Sequence, residues 1–476
     1  MAHATHSTAE THPEPTVHPR RWMLLTLLCL SQFMLILDVT VINVALPSIG
    51  ADLHLTRESL TWAVTAYTLC FGGLMLLGGR LADAFGARRL LLTGLVLFTV
   101  ASLATGLAEN ATVLIGGRLA QGIGAALLSP AALATISRTF HGPERNKALG
   151  IWAMLGGIGF AVGAMLGGVL TAGPGWSWVF FINIPVGLGV LLLLPRLLPA
   201  SARHSSSNNG SRIDLPGAVL VTTATGSLIY GLIKAGDAGW DSADTLVPLF
   251  GSAVLYALFA VVERKISAPL MDLRILAKRP VAAGSFLMLV ATGLLLGFIF
   301  LGSLYLQQVR GLSALSTGAL LLPVAVATAV GAHLAAHLIA HAGARPVAAG
   351  GLLVSGGGGL VLALVDGTPG TVAGLAVGAI GIIPVFVAAT TTALGFISHE
   401  EAGIASGVVN TFHEVGGAVG AATVSTVAAT GIAAHSATGF HAAYATLAVV
   451  AAVAALIALA VIPRGKAELP EGVHVH

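Results

Sequence analysis

The sequence predicts an all-α polytopic membrane protein, built from two six-helix bundles with two extra helices between them. Three observations carry that prediction. Apolar stretches of about 20 residues, enough to cross a ~30 Å hydrocarbon core, follow one another along most of the chain. Charged residues make up only 9% of the 476 residues, against roughly 25% in an average soluble domain, and mean hydropathy is +0.90. The positive charges that remain fall almost entirely on alternate loops.

Segmenting at clusters of charge, Pro and Gly gives fourteen spans: 22–45, 60–79, 91–108, 112–137, 148–172, 176–195, 214–234, 245–263, 281–308, 316–341, 347–365, 370–396, 406–430 and 441–463. Nineteen of the 23 Lys and Arg lie at the termini or in even-numbered loops, and Arg57, Lys234 and Arg310 lie on the opposite side. Arg118 sits inside a span. By the positive-inside rule both termini are cytoplasmic, and an odd number of spans would break the alternation. The expected location is the inner (plasma) membrane. The formal charge of +3 is spread over these loops, so it reports orientation and not nucleic-acid binding. Cys29 and Cys70 fall within apolar spans, which argues against a disulfide framework. The first span is too long for a cleavable signal peptide alone.

The organisation is six plus two plus six. Residues 1–21 read as a disordered cytoplasmic tail and 22–195 as the N-terminal bundle. Residues 196–213 contain Ser205-Ser206-Ser207-Asn208-Asn209-Gly210, a flexible polar linker. Asp214-Leu215-Pro216 then restarts a helix with Asp as N-cap, opening a two-helix insert over 214–263. Residues 264–280 read as a short amphipathic segment on the cytoplasmic interface, followed by the C-terminal bundle (281–463) and a tail (464–476). A weak repeat equates the two bundles. Leu81-Ala82-Asp83-Ala84-Phe85-Gly86-Ala87-Arg88-Arg89 recurs, 257 residues on, as Leu338-Ile339-Ala340-His341-Ala342-Gly343-Ala344-Arg345-Pro346. Parallel repeats of this kind place a substrate site between two halves of a secondary transporter.

Four runs then carry a family resemblance. Leu37-Asp38-Val39-Thr40-Val41-Ile42-Asn43-Val44-Ala45-Leu46-Pro47 runs through the end of the first span and just past it. Gly79-Arg80-Leu81-Ala82-Asp83-Ala84-Phe85-Gly86-Ala87-Arg88-Arg89 forms the loop after the second. Arg118-Leu119-Ala120-Gln121-Gly122-Ile123-Gly124-Ala125 lies in the fourth, and Gly159-Phe160-Ala161-Val162-Gly163-Ala164-Met165-Leu166-Gly167-Gly168 in the fifth. With Trp178-Val179-Phe180-Phe181-Ile182-Asn183-Ile184-Pro185 and Gly239-Trp240, they make the chain resemble the fourteen-helix drug:proton antiporters of the major facilitator superfamily along nearly its whole length. The resemblance implies a major facilitator fold and multidrug efflux by alternating access. It also implies no cofactor beyond the proton gradient; the partners are protons, the bilayer and a small amphiphilic substrate.

The residues give these motifs physical roles. Asp38 is an acid inside a lipid-embedded helix, which is costly unless it meets a cavity or a partner. At ~1.5 Å per residue it lies roughly 24 Å in from the cytoplasmic side, and Arg118 about 9 Å from the external surface. Their depths match. Such a pair serves either as a proton-responsive element or as a permanent ion pair holding helices one and four, and the resemblance assigns both motifs to proton coupling or the transport cycle. Glu414 lies about 12 Å into span thirteen, near the midplane. It shares a stripe with Asn410 and Gly417, while His413 points about 100° away. Glu414 reads as a cation-binding or second proton site, or else as a helix-contact carboxyl. Gln32, Asn43, Gln307 and Asn410 are the other expected polar groups of the substrate cavity.

Gly79, Asp83, Gly86 and Arg88 form the cytoplasmic loop motif. Gly86 permits a tight turn, and the Asp83 carboxylate suits the positive N-terminus of a facing helix; the resemblance makes this a conformational latch, while the charges also set topology. Gly159, Gly163, Gly167 and Gly168 provide a smooth face for close helix packing. Ala164 stands where the antiporter motif carries proline, so this helix is expected to bend less. His333, His337 and His341 share one face of span ten but lack an acidic or Cys partner, so a pore-lining or interfacial stripe is expected and no metal site. No P-loop, nucleophile elbow or metalloprotease helix is present, and no enzyme activity is expected. The function expected is proton-coupled export of amphiphilic or cationic drugs; the alternative is a dedicated exporter of one endogenous metabolite or lipid.

Overall fold

Hydrocarbon offers no hydrogen bonds, so each apolar stretch satisfies its own backbone as a helix. The computed structural model describes residues 20–140, 142–198, 214–266, 269–271, 273–394 and 402–463. The expected tails, apart from Arg20 and Arg21, and most of the 196–213 linker lie outside them; Arg21, expected in the N-terminal tail, opens α1. The N-terminal half contains α1 (Arg21–Asp52), α2 (Arg57–Phe85), α3 (Ala87–Gly106), α4 (Ala111–Thr139) and α5 (Gly142–Ala172), then a short helix Trp178–Phe181 leading into α6 (Asn183–Leu197). The insert is α7 (Leu215–Ala238) and α8 (Ala243–Lys265). A short helix, Leu273–Ala277, leads to α9 (Arg279–Leu304), which ends in a π-helical turn, Tyr305–Val309. The rest comprises a short helix Ala314–Leu320, α10 (Leu322–Ala342), α11 (Ala344–Leu364), α12 (Thr368–Leu394), α13 (Ala402–Val427) with a short extension Ala429–Ala434, and α14 (Ala437–Val461). Among the described residues 12 helices are long and apolar enough to cross a membrane. α5 (31 residues) and α13 (26 residues) add two of comparable length.

Local chemistry sets the ends. Thr56, Asn110 and Asp214 cap α2, α4 and α7 by accepting the amides of Ser59, Val113 and Gly217, the role N-cap side chains commonly take. Gly86 (φ 92°) and Gly343 (φ 84°) turn the chain between α2 and α3 and between α10 and α11. They occupy equivalent positions of the 257-residue repeat, and their left-handed backbone favours glycine.

In the N-terminal half α4 packs on α2 and α3, and α1 on α5; in the C-terminal half α9 packs on α12 and α13, and α11 on α12 and α14. The insert does not stand apart. α7 fits the seam where α2 meets α13, with Leu69, Ile229, Ile233, Ala418 and Ala422 forming one buried cluster. α8 turns Val247, Phe250 and Val254 outward, the apolar face that lipid requires.

Candidate functional site: a central cavity and a buried ion pair

A cavity of about 980 Å³ lies between the two halves. Apolar walls come from Phe71 and Met75 of α2, Trp152 of α5, Met288 of α9 and Phe386 of α12; polar groups come from Gln32, Thr40, Thr292, Asn410, His413 and Glu414. It extends to Arg80, Ser137 and Leu270, at the end of the bundle that gathers the basic loops. At the opposite end the halves touch. Arg57 donates to Ser425 Oγ at 3.0 Å, and the Thr61 and Ser425 hydroxyls lie 2.6 Å apart. Gln307 Nε2 donates to the Val44 carbonyl at 2.8 Å. α5 also meets the Ala314–Leu320 helix so closely that a methyl on Gly168 would lie 2.8 Å from the Ala314 carbonyl oxygen. The cavity is open at the basic end and sealed at the other.

Asp38 and Arg118, expected at matched depth, form a direct ion pair, with Asp38 2% and Arg118 1% exposed. Neither lines the cavity. The second carboxylate oxygen accepts Gln121 Nε2 at 3.0 Å and Asn183 Nδ2 at 3.2 Å. Both amides also reach Ser102 Oγ, at 2.9 and 3.4 Å. Arg118 additionally donates Nε to the Ala63 carbonyl at 2.9 Å and Nη1 to Gln121 Oε1 at 3.0 Å. Its guanidinium lies 4.5 Å from the Tyr67 ring centre, a favourable cation–π placement. A proton arriving on Asp38 would cancel the ion pair while leaving Arg118 its carbonyl, its amide and its ring. Gln121, Asn183 and Ser102 were absent from the expected site. Gln121 was the accessible one, since it follows Arg118 by one helical turn.

Glu414, Asn410 and Gln32 line the cavity as expected. The Glu414 side chain is 13% exposed and its Oε1 lies 3.2 Å from His413 Nδ1. The expectation that His413 faces elsewhere is therefore corrected: a wide cavity admits two consecutive positions, and the imidazole turns back to its neighbour. Phe386 lies 5.5 Å from that imidazole, ring centre to ring centre. Asn43 and Gln307 need a larger correction. Neither lines the cavity; Asn43 is 1% exposed and turns its amide onto the Val39 carbonyl at 2.7 Å. Depth along a helix does not determine which face a side chain takes, and both residues belong to the sealed end.

Gly79 lines the cavity. Arg88 donates to the Leu198 and Pro195 carbonyls at 3.1 and 3.0 Å, stapling α3 to the end of α6 within one half. The Asp83 side chain lies outside what the structure describes. Arg80, which was not among the expected latch residues, donates to the Pro269 carbonyl at 2.8 Å. Gly159, Gly163 and Gly167 face Ile36, Thr40 and Val41 of α1, where added methyls would crowd or collide; Gly168 instead faces the other half. His333, His337 and His341 are exposed on α10 and none lines the cavity; the ring centres of His337 and His341 lie 4.3 Å apart, the planes tilted by 40°.

Residues 28–421 match the Major Facilitator Superfamily. The puromycin resistance protein of Streptomyces alboniger is 38% identical over 88% of this chain and 84% of its own length. The cephamycin export protein of Amycolatopsis lactamdurans is 36% identical, covering 86% and 85%. A multidrug resistance protein of Mycobacterium tuberculosis is 34% identical, covering 87% and 77%. Among solved structures, a bacterial homologue of the human lysosomal transporter Spinster, in an inward-facing and unoccupied conformation, aligns with TM-score 0.61 at 17% identity over 93% of this chain and 98% of that one. A peptide transporter aligns with TM-score 0.64 at 16% identity, covering 92% and 94%. These two likenesses concern the fold.

Proposed function

This chain belongs to the Major Facilitator Superfamily, a family of multi-pass membrane transporters and not of enzymes, and from that premise we propose that it is a proton-coupled drug exporter. Its substrates are amphiphilic or cationic small molecules, antibiotics among them. It takes them up from the cytoplasmic side and releases them outside by alternating access. The observation that carries this reading is one carboxylate, Glu414, set in an otherwise largely apolar cavity, with a second, Asp38, buried beside an arginine. The first suits a cation and the second a proton. The relatives named for antibiotic resistance and export support the substrate class.

In this reading all fourteen long helices cross the plasma membrane, with both termini and the basic loops in the cytoplasm. The conformation is then inward-open, and the loop motif with Asp83 closes that side when the cavity turns outward. Lipid, protons and the transported molecule are its partners in this reading, with the proton gradient as the energy source. A narrower reading, export of a single compound, is favoured by relatives named for cephamycin or puromycin alone. A growth-inhibition panel separates the two. Cells making this protein are expected to tolerate several structurally unrelated cationic or amphiphilic antibiotics. Protection against one compound class alone would favour the dedicated exporter, and protection against none would overturn the proposal.

A further inference from the structure

Pro47 sits inside α1. Having no amide hydrogen, it leaves the carbonyl four residues earlier, that of Asn43, without a helical partner. Asn43 is buried, where an unpaired acceptor is costly. The partner comes from the other half of the molecule. Ser303 Oγ of α9, itself fully buried, donates to the Asn43 carbonyl. One turn later Gln307 donates Nε2 to the Val44 carbonyl at 2.8 Å and to Ser303 Oγ at 3.1 Å. Gln307 belongs to the π-helical turn Tyr305–Val309, an irregularity frequently found at functional sites because it re-aims side chains. Two irregular helices therefore meet at one point of the sealed end.

We propose that Ser303 and Gln307 are the outer gate latch, holding α1 through the carbonyl that Pro47 leaves free. The inference rests on the alternating-access reading. When the halves are closed outside, Ser303 satisfies the Asn43 carbonyl. When they part, water entering the outer vestibule takes its place. The helix break thus has a partner in both states and needs no rearrangement of its own. The latch also lies close to the buried ion pair: Asn43 follows Asp38 by five residues, about 7.5 Å along the same helix. α1 can therefore carry a change at Asp38 to the gate.

The test uses the full-length protein in proteoliposomes, with Cys29 and Cys70 replaced by alanine and spin labels at Ala51→Cys and Arg310→Cys. Both labelled positions are exposed, on the outer ends of α1 and α9. Pulsed electron–electron distances then report how far the outer ends separate. Ser303→Ala is expected to raise the ratio of long to short distances roughly tenfold, the scale of one buried acceptor left unpaired. Ser303→Thr keeps the hydroxyl and should keep the distribution. Pro47→Ala restores a helical amide to Asn43 and should also favour separation. In its presence Ser303→Ala should add much less, the mark of a shared interaction in a double-mutant cycle, the remainder being the bond that Ser303 Oγ accepts from Gln307. Gln307→Met removes the second bond at similar volume and reads the latch independently. An unchanged distribution in folded Ser303→Ala and Gln307→Met, or a Ser303→Ala effect undiminished by Pro47→Ala, overturns the latch. A parent protein that never separates, under any gradient or substrate, would instead overturn alternating access.

Discussion

Asp38→Asn is expected to reduce gradient-driven export to the level of cells lacking the protein, while the variant still reaches the membrane. The carboxylate accepts bonds at both oxygens, from Arg118 at one and from Gln121 and Asn183 at the other. An amide of the same shape offers one acceptor and no charge, so the pair is cancelled; with its oxygen kept towards Gln121 and Asn183, the bond from Arg118 is the one lost. Removing a partner from a buried ion pair commonly costs ~3–5 kcal/mol. Here the loss should fall at the low end, since Arg118 keeps the Ala63 carbonyl, Gln121 and the Tyr67 ring. The variant imitates permanently protonated Asp38 and cannot cycle. Efflux of a fluorescent cation from energised cells, normalised to the protein in the membrane, checks this. Efflux at the parental rate would leave the pair as a structural tie between α1 and α4.

Glu414→Gln is expected to act on substrate choice instead. A cation ~4 Å from a carboxylate gains about 1 kcal/mol in water and about 4 kcal/mol at an effective dielectric of 20. A side chain 13% exposed on the wall of an open cavity falls between those limits. Apparent affinity for a cationic substrate should therefore drop on the order of tenfold or more, at 1.4 kcal/mol per tenfold. A neutral amphiphile, held by Phe71, Trp152, Met288 and the rest of the apolar wall, should be moved nearly as before. Paired transport of one cationic and one neutral compound at fixed external pH makes the comparison. Equal loss of both would assign Glu414 to proton coupling or helix packing, and loss of neither would make it a structural carboxyl.

What could be read from the sequence follows the constraint that hydrocarbon imposes. Its thickness sets helix length, so the expected spans overlie helices, which extend beyond them by a few residues at many ends. Depth is equally legible, because rise per residue is constant; that is why the sequence alone sets Asp38 and Arg118 at one level. Azimuth is not. In helices apolar on nearly every side no amphipathic stripe marks the inward face, so the sequence alone misassigns Asn43 and Gln307 to the cavity and turns His413 away from Glu414. A neutral amide such as Asn183 announces nothing in an apolar run, and Gln121 is marked only by following Arg118 one turn on, although both complete the Asp38 site. The freed carbonyl at Asn43 was written in the sequence as Pro47, but its partner, 260 residues away, depends on how two helices meet.

Proton exchange for substrate is the central claim, and one measurement reaches it most directly. Purified protein in proteoliposomes, with no imposed pH gradient, is given an outward or inward gradient of a cationic substrate while internal pH is recorded. The account predicts that substrate flow drives protons in the opposite direction, that the sign reverses with the substrate gradient, and that Asp38→Asn abolishes the pH change. Substrate flow through the unmodified protein with internal pH unmoved would contradict it.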